Sequence, residues 1–110
     1  CVRDYVHVMD LADAHIKSLN YAFENKVSEV FNLGSGSPVS NRELLETIQR
    51  HTGKMDIKFE PNRAGDPAYL VADITKVKQI LDWEPTQSSI DNVVATALKW
   101  YNKVHKKDIQ

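Results

Sequence analysis

The hydrophobic and polar positions of this chain change period several times along its length. In CVRDYVHV, residues 1–8, Val2, Val6 and Val8 fall on one side of a period-two pattern and Arg3, Tyr5 and His7 on the other, which predicts a strand. Asp10 then stands where a helix N-cap belongs, and Leu11, Ala14, Ser18, Leu19, Ala22 and Phe23 recur at helical spacing up to about Glu24. EVFNLGSG, residues 29–36, is a continuous apolar run closing in glycines, the pattern of a strand buried on both faces. Such a strand, at Val30 to Leu33, needs neighbours on both edges. Ser40 and Glu43 form an S-x-x-E capping box ahead of Leu44, Leu45 and Ile48, and Gly53 offers a left-handed stop. Period two returns in MDIKFEP, with Met55, Ile57 and Phe59 on one side and Pro61 closing the run. NRAGDPAYLVAD, residues 62–73, reads as a tight turn followed by a short strand, after which Asp73 can cap a helix carrying Val77, Ile80 and Leu81. The last helix begins near Ser89, with Ile90, Val93, Val94, Ala97, Leu98, Trp100, Tyr101 and Val104 along one face.

The order strand, helix, strand, helix, strand, turn with short strand, helix, helix predicts a mixed α/β arrangement of packed layers, with no internal repeat. A compact domain of 110 residues buries only roughly 65% of its unfolded surface, so three or four short strands and four helices make a modest core. The chain also opens directly in a strand-like run, without initiator methionine or helix cap, and is expected to be a piece of something longer.

Charge narrows the possible partners. A formal net charge of -1 leaves no field of one sign to gather nucleic acid or an anionic membrane surface, so any bound anion must be held by a few placed cations. The apolar runs are far shorter than the ~20 residues that span a bilayer. The single cysteine, Cys1, allows no internal disulfide and fits a reducing, cytoplasmic setting.

Several chemistries find no support in the motifs. GSGSP, residues 34–38, follows a strand pattern and precedes a helix, but Val39 stands where the last glycine of G-x-G-x-x-G is required. His7, His15, His51 and His105 show neither an H-E-x-x-H spacing nor a cysteine partner, so no metal site is expected. No serine sits in a nucleophile elbow, and no tyrosine stands four residues before a lysine. What remains is Arg3 and the NRAGD turn. Guanidinium forks match phosphate oxygens in pairs, so two arginines converging on one cleft suit a diphosphate. Gly65 lets the backbone bend close to a ligand, and Asp66 can accept hydrogen bonds from a ribose diol. The plainer alternatives are a surface ion pair between Arg63 and Asp66 and a pair of Arg3 with Asp4 or Asp10.

CVRDYVHVMDLADAH, EVFNLGSG, RAGDPAYLVAD and ILDWEPTQSSIDNVVATALKWY together resemble the C-terminal portion of the UDP-glucose 4-epimerase family, which are extended short-chain dehydrogenase/reductases. The likeness runs over essentially the whole chain and implies one region, residues 1–110, that binds the UDP-sugar substrate and lacks most of the Rossmann domain. It implies an NAD-dependent isomerase of galactose metabolism, with NAD and the Tyr-x-x-x-Lys pair carried by the absent N-terminal domain, no catalytic residue here, and no activity from this piece alone. Arg3 matches the arginine that contacts the UDP diphosphate. Arg63 and Asp66 match the pair that holds phosphate and ribose, with Ala64 and Gly65 as the backbone between them. A homodimer is implied for the whole protein, and self-association through an exposed sheet edge is expected of the piece. Two other readings remain: a related NAD-dependent sugar-nucleotide epimerase, dehydratase or decarboxylase, and a non-enzymatic α/β interaction module.

Overall fold

The computed structural model describes residues 1–54, 56–58, 60, 64–65 and 67–105. Seven elements follow in order: β1 (Val2–Arg3), α1 (Val8–Asn25), β2 (Val39–Ser40), α2 (Asn41–Thr52), β3 (Tyr69–Leu70), α3 (Thr75–Leu81) and α4 (Ile90–Val104). β1 is the middle strand of a three-stranded sheet ordered β2-β1-β3. It runs antiparallel to β2, with Arg3 opposite Val39, and parallel to β3, with Arg3 opposite Leu70. The mixed α/β expectation holds, with a sheet much shorter than the periodicity promised.

The core lies between α1 and α3. Ala14, Ile74, Val77, Leu81 and Trp83 are buried together, with Val6, Tyr21, Phe31, Leu33 and Ala72 packed against them. Trp83 is 0% exposed, and its indole N–H donates to the Asp10 carbonyl at 2.9 Å, so the largest buried ring is also satisfied. A second junction joins α2 to α4, where the His51 Nε2 lies 3.0 Å from Asp91 and Val94 is buried. The Cα radius of gyration is 17.1 Å, against about 13 Å for a compact domain of this size. The molecule is therefore open and flat.

Local sequence signals were realised where their partners are also local. Ser40 and Glu43 form the reciprocal capping box of α2, and Gly53, at φ 94°, ends it by donating to the Gln49 carbonyl at 2.7 Å. Ser89 caps α4 by accepting from the Asn92 N–H at 3.2 Å. Asp73 falls one place short of the cap expected of it: the N-cap of α3 is Ile74, which makes no side-chain cap bond, and Asp73 instead accepts from the Thr75 N–H at 3.0 Å.

Several expectations are corrected. The N-cap of α1 is His7, whose Nδ1 accepts from the Met9 N–H at 3.0 Å. Asp10 sits inside the first turn, 3% exposed, and its carboxylate accepts from the Gln87 N–H at 2.9 Å and from the Ser88 hydroxyl. The carboxylate serves a distant loop and the histidine takes over the cap. The strand expected across residues 2–8 is only Val2–Arg3, because both neighbouring strands are two residues long. Residues 29–36 form no strand: Phe31 and Leu33 pack on the core while Val30 is 77% exposed, so one face is covered and no ladder runs beside it among the described residues. The apolar stripes are narrower than expected. Leu19, Phe23, Ile80, Trp100, Tyr101 and Val104 are exposed while Ala14, Val77, Leu81 and Val94 are buried, because each helix has only one packed side. Of the alternation at 55–61, Asp56, Ile57 and Lys58 form no strand, and Met55, Phe59 and Pro61 lie outside the described residues.

Candidate functional site

The sheet places Arg3 at its centre, half-buried, with Nη1 donating to the Val2 carbonyl at 2.9 Å. Arg3 lines a cleft of about 320 Å³ together with Asp4, Asn32, Leu33, Leu70, Val71 and Ala72. Three separate segments meet here: the end of β1, the run leading into the 34–36 turn, and the residues at and after β3. Among the described residues, Arg3 makes no ion pair with Asp4 or Asp10. The oxygens of both carboxylates accept hydrogen bonds from other groups.

Asp4 is a residue that the sequence reading offered only as a possible ion-pair partner of Arg3. Its Oδ1 accepts from the Ser35 N–H and the Ser35 hydroxyl, each at 2.6 Å. Its Oδ2 accepts from the Gly36 N–H at 3.0 Å and the Ala72 N–H at 3.3 Å. Burial pushes this carboxyl up, but the bonds from Ser35, Gly36 and Ala72 favour the charged form and outweigh it, holding the pKa below its ordinary value. Gly34 is needed directly beside it: a Cβ there would strike the Asp4 carboxylate and come within 2.8 Å of the Ala72 methyl. The signal available in the sequence was SGS itself, a turn with successive amides aimed to one side, which a carboxylate or phosphate can fill.

That bonding also decides what the GSGSP loop can hold. The Ser35 and Gly36 amides, which a cofactor phosphate would need, already carry a carboxylate, so this loop does not fit the diphosphate of NAD.

Of the turn residues, Ala64 and Gly65 are exposed, and Gly65 has φ 86°, a left-handed backbone that glycine adopts without strain. Arg63 and Asp66 lie outside the described residues. The turn feeds β3, and the Ala68 carbonyl just before that strand accepts from the Val2 N–H at 2.8 Å. Chain connectivity therefore brings the backbone after the turn against β1 beside Arg3. A second, larger cleft of about 500 Å³ lies on the β2 side, lined by Cys1, Arg42, Leu45, Ile57, Lys58 and Glu60 among others. Lys58 there is paired with Glu60 at 3.3 Å.

A family model described as GDP-mannose 4,6 dehydratase matches residues 1–96, and the chain belongs to that family. Its relatives in sequence include several UDP-glucose 4-epimerases. The chain is 48% identical over 108 residues to a UDP-glucose 4-epimerase of Lactobacillus helveticus, covering 96% of this chain and 32% of that protein. A UDP-glucose-4-epimerase structure from Stenotrophomonas maltophila, with bound NAD and formylated UDP-arabinopyranose, superposes with a TM-score of 0.89 at 30% identity, over 96% of this chain and 32% of the other. One from Bifidobacterium longum, in complex with NAD+ and UDP, gives 0.80 at 32% identity, over 93% of this chain and 30% of the other. The chain thus spans about a third of the length of the proteins it matches, and it has the fold of that third.

Proposed function

We propose that this chain is the nucleotide-gripping part of an NAD-dependent UDP-glucose 4-epimerase, and that Arg3, Arg63, Ala64, Gly65 and Asp66 form the grip. The diphosphate would lie against the two guanidinium groups, the ribose hydroxyls against Asp66, and the backbone at Ala64 and Gly65 would close the wall. The observation that carries this reading is the pairing of β1 with β3, which sets Arg3 opposite Leu70 on the strand that follows the turn. NAD supplies hydride acceptance and return at the sugar C4. The 34–36 amides do not fit its diphosphate, and on this reading NAD is held by parts of the protein beyond this chain.

The division of labour has a physical reason. A sugar that must turn over between hydride removal and return has to be held weakly, so retention falls to the nucleotide. Binding energy remote from the reacting carbon keeps the intermediate in place. On the same reading the protein serves galactose metabolism in the cytoplasm as a homodimer.

The test replaces the matching third of the Lactobacillus helveticus enzyme with this chain. A folded, NAD-loaded chimaera should interconvert UDP-glucose and UDP-galactose, and Arg3→Ala should raise KM by about 10- to 100-fold, the loss of a charge-assisted pair worth roughly 1.5–3 kcal/mol. A loaded chimaera that leaves both sugars unchanged overturns the sugar assignment. An Arg3→Ala variant with unaltered KM overturns the grip.

A further inference from the structure

We infer that Asp4 is a positioning residue for substrate binding: its carboxylate, fastened to Ser35, Gly36 and Ala72, fixes the cleft in which Arg3 meets the nucleotide. The inference rests on the reading of Arg3 given above and adds a residue that touches no substrate.

The argument is geometric. Arg3 and Asp4 are consecutive, and β1 ends between them. Beyond that point no ladder bond restrains the chain among the described residues, so the sheet alone does not hold the end of the strand. Asp4 does so with four hydrogen bonds, and their donors come from two of the segments that meet at the cleft. The Ser35 and Gly36 donors follow Asn32 and Leu33, which line the cleft, and Ala72 is itself part of the lining. One side chain thus ties together the strand bearing Arg3, the run from 32 to 36, and the residues that follow β3. The fit is tight on the remaining side, where Gly34 leaves no room for a methyl group. A carboxylate suits the task because it only accepts, and all four partners donate. An amide would turn an NH₂ group toward at least one of those donors. The Ser35 hydroxyl is held in turn, with its oxygen accepting from the Ser37 N–H at 3.1 Å, so the turn is braced on both sides of Gly36.

If Asp4 acts through Arg3, its removal should cost nothing further once Arg3 is gone. In the chimaera, Asp4→Asn is expected to raise KM for UDP-glucose about tenfold with kcat within about twofold, the size of coupling found between residues in one network. The Arg3→Ala/Asp4→Asn double variant should have the KM of Arg3→Ala alone. Asp4→Glu keeps the charge one methylene out of place and should also raise KM, which covers the case in which Asp4→Asn fails to fold. In the chain itself, Asp4→Asn should speed exchange of the Ser35, Gly36 and Ala72 amides. Three results would sink the inference while leaving the grip intact: a KM unmoved by Asp4→Asn where Arg3→Ala raises it, effects that multiply in the double variant, or a loss confined to kcat. A KM unmoved by Arg3→Ala would instead sink the reading on which it rests.

Discussion

The surroundings of Asp4 and the outward side of α1 are built on opposite terms. At Asp4 both carboxylate oxygens are bonded, three chain segments converge, and a methyl added at Gly34 would collide. On the outward side of α1, Val8, Met9, Ile16, Leu19 and Phe23 stand in solvent, Phe23 at 74% exposure, and Val30, five residues beyond the helix in sequence, is 77% exposed. A helix with apolar residues on both its sides is normally buried on both. The contrast teaches that the chain completes its polar contacts around Asp4 and leaves apolar surface uncovered along α1. That fits a chain matching only about a third of its relatives' length.

The largest effect should come from neither region but from the apolar core between α1 and α3. Trp83 is fully buried and bonded to Asp10, so Trp83→Ala removes packing and leaves a cavity, a loss of about 3–5 kcal/mol. Urea denaturation followed by circular dichroism should show the variant largely unfolded without denaturant. A loss below about 1 kcal/mol would mean that the core between α1 and α3 does not hold the chain together.

Gly34→Ala comes next. Its Cβ would meet the Asp4 carboxylate and the Ala72 methyl, and neither can retreat without breaking the bonds that define the turn. Overpacking of this kind costs about 1–3 kcal/mol. The same denaturation measurement decides it, and an unchanged midpoint would show that the contact relaxes freely.

How far the sequence foretold all this depends on how far apart the partners lie. The caps at Ser40 and Ser89 were legible because donor and acceptor are three residues apart. Asp10 was misread for the opposite reason: its carboxylate could have capped α1, and only the fold brings Gln87 and Ser88 to it instead. The apolar run at 29–33 was misread as a strand buried on both faces: Phe31 and Leu33 pack on the core but Val30 is exposed, and a ladder needs a neighbouring strand that no local pattern announces. Arg3 and the RAGD turn stood out by residue type alone, although ordinary ion pairs explained them equally well before the family likeness was added. Asp4 stood out only as a possible ion-pair partner, because a carboxylate next to an arginine reads as its counter-ion. Its true partners are backbone amides 31, 32 and 68 residues away.

Acid should separate the two regions further. The pKa of Asp4 lies below its ordinary 3.8 in the folded chain, so its stabilisation is fully present above that value and is lost as pH falls through the lowered one. The site is partly open to solvent, which limits the contribution to about 1 kcal/mol. The stability gap between the native chain and Asp4→Asn should therefore be constant from about pH 7 to 5 and shrink below about pH 4. A gap that stays constant into stronger acid would mean that the four bonds do not favour the charged form.

The smallest effect on stability is expected on the bare side, where it says the most. Phe23 is 74% exposed, so replacing it leaves no cavity, and Phe23→Ser should change the unfolding free energy by only about 0.5 kcal/mol. Association is another matter, because a contiguous apolar stripe is what a second surface would cover. The sheet offers edges of only two residues, Val39–Ser40 and Tyr69–Leu70, which give few ladder bonds to an incoming strand. Sedimentation velocity over a range of concentrations should therefore show association weakened by Phe23→Ser and by Leu19→Lys, and left nearly unchanged by Tyr69→Lys. If Tyr69→Lys has the larger effect, self-association runs through the sheet edge, and the contrast between a completed polar region and an uncovered helix loses its second half.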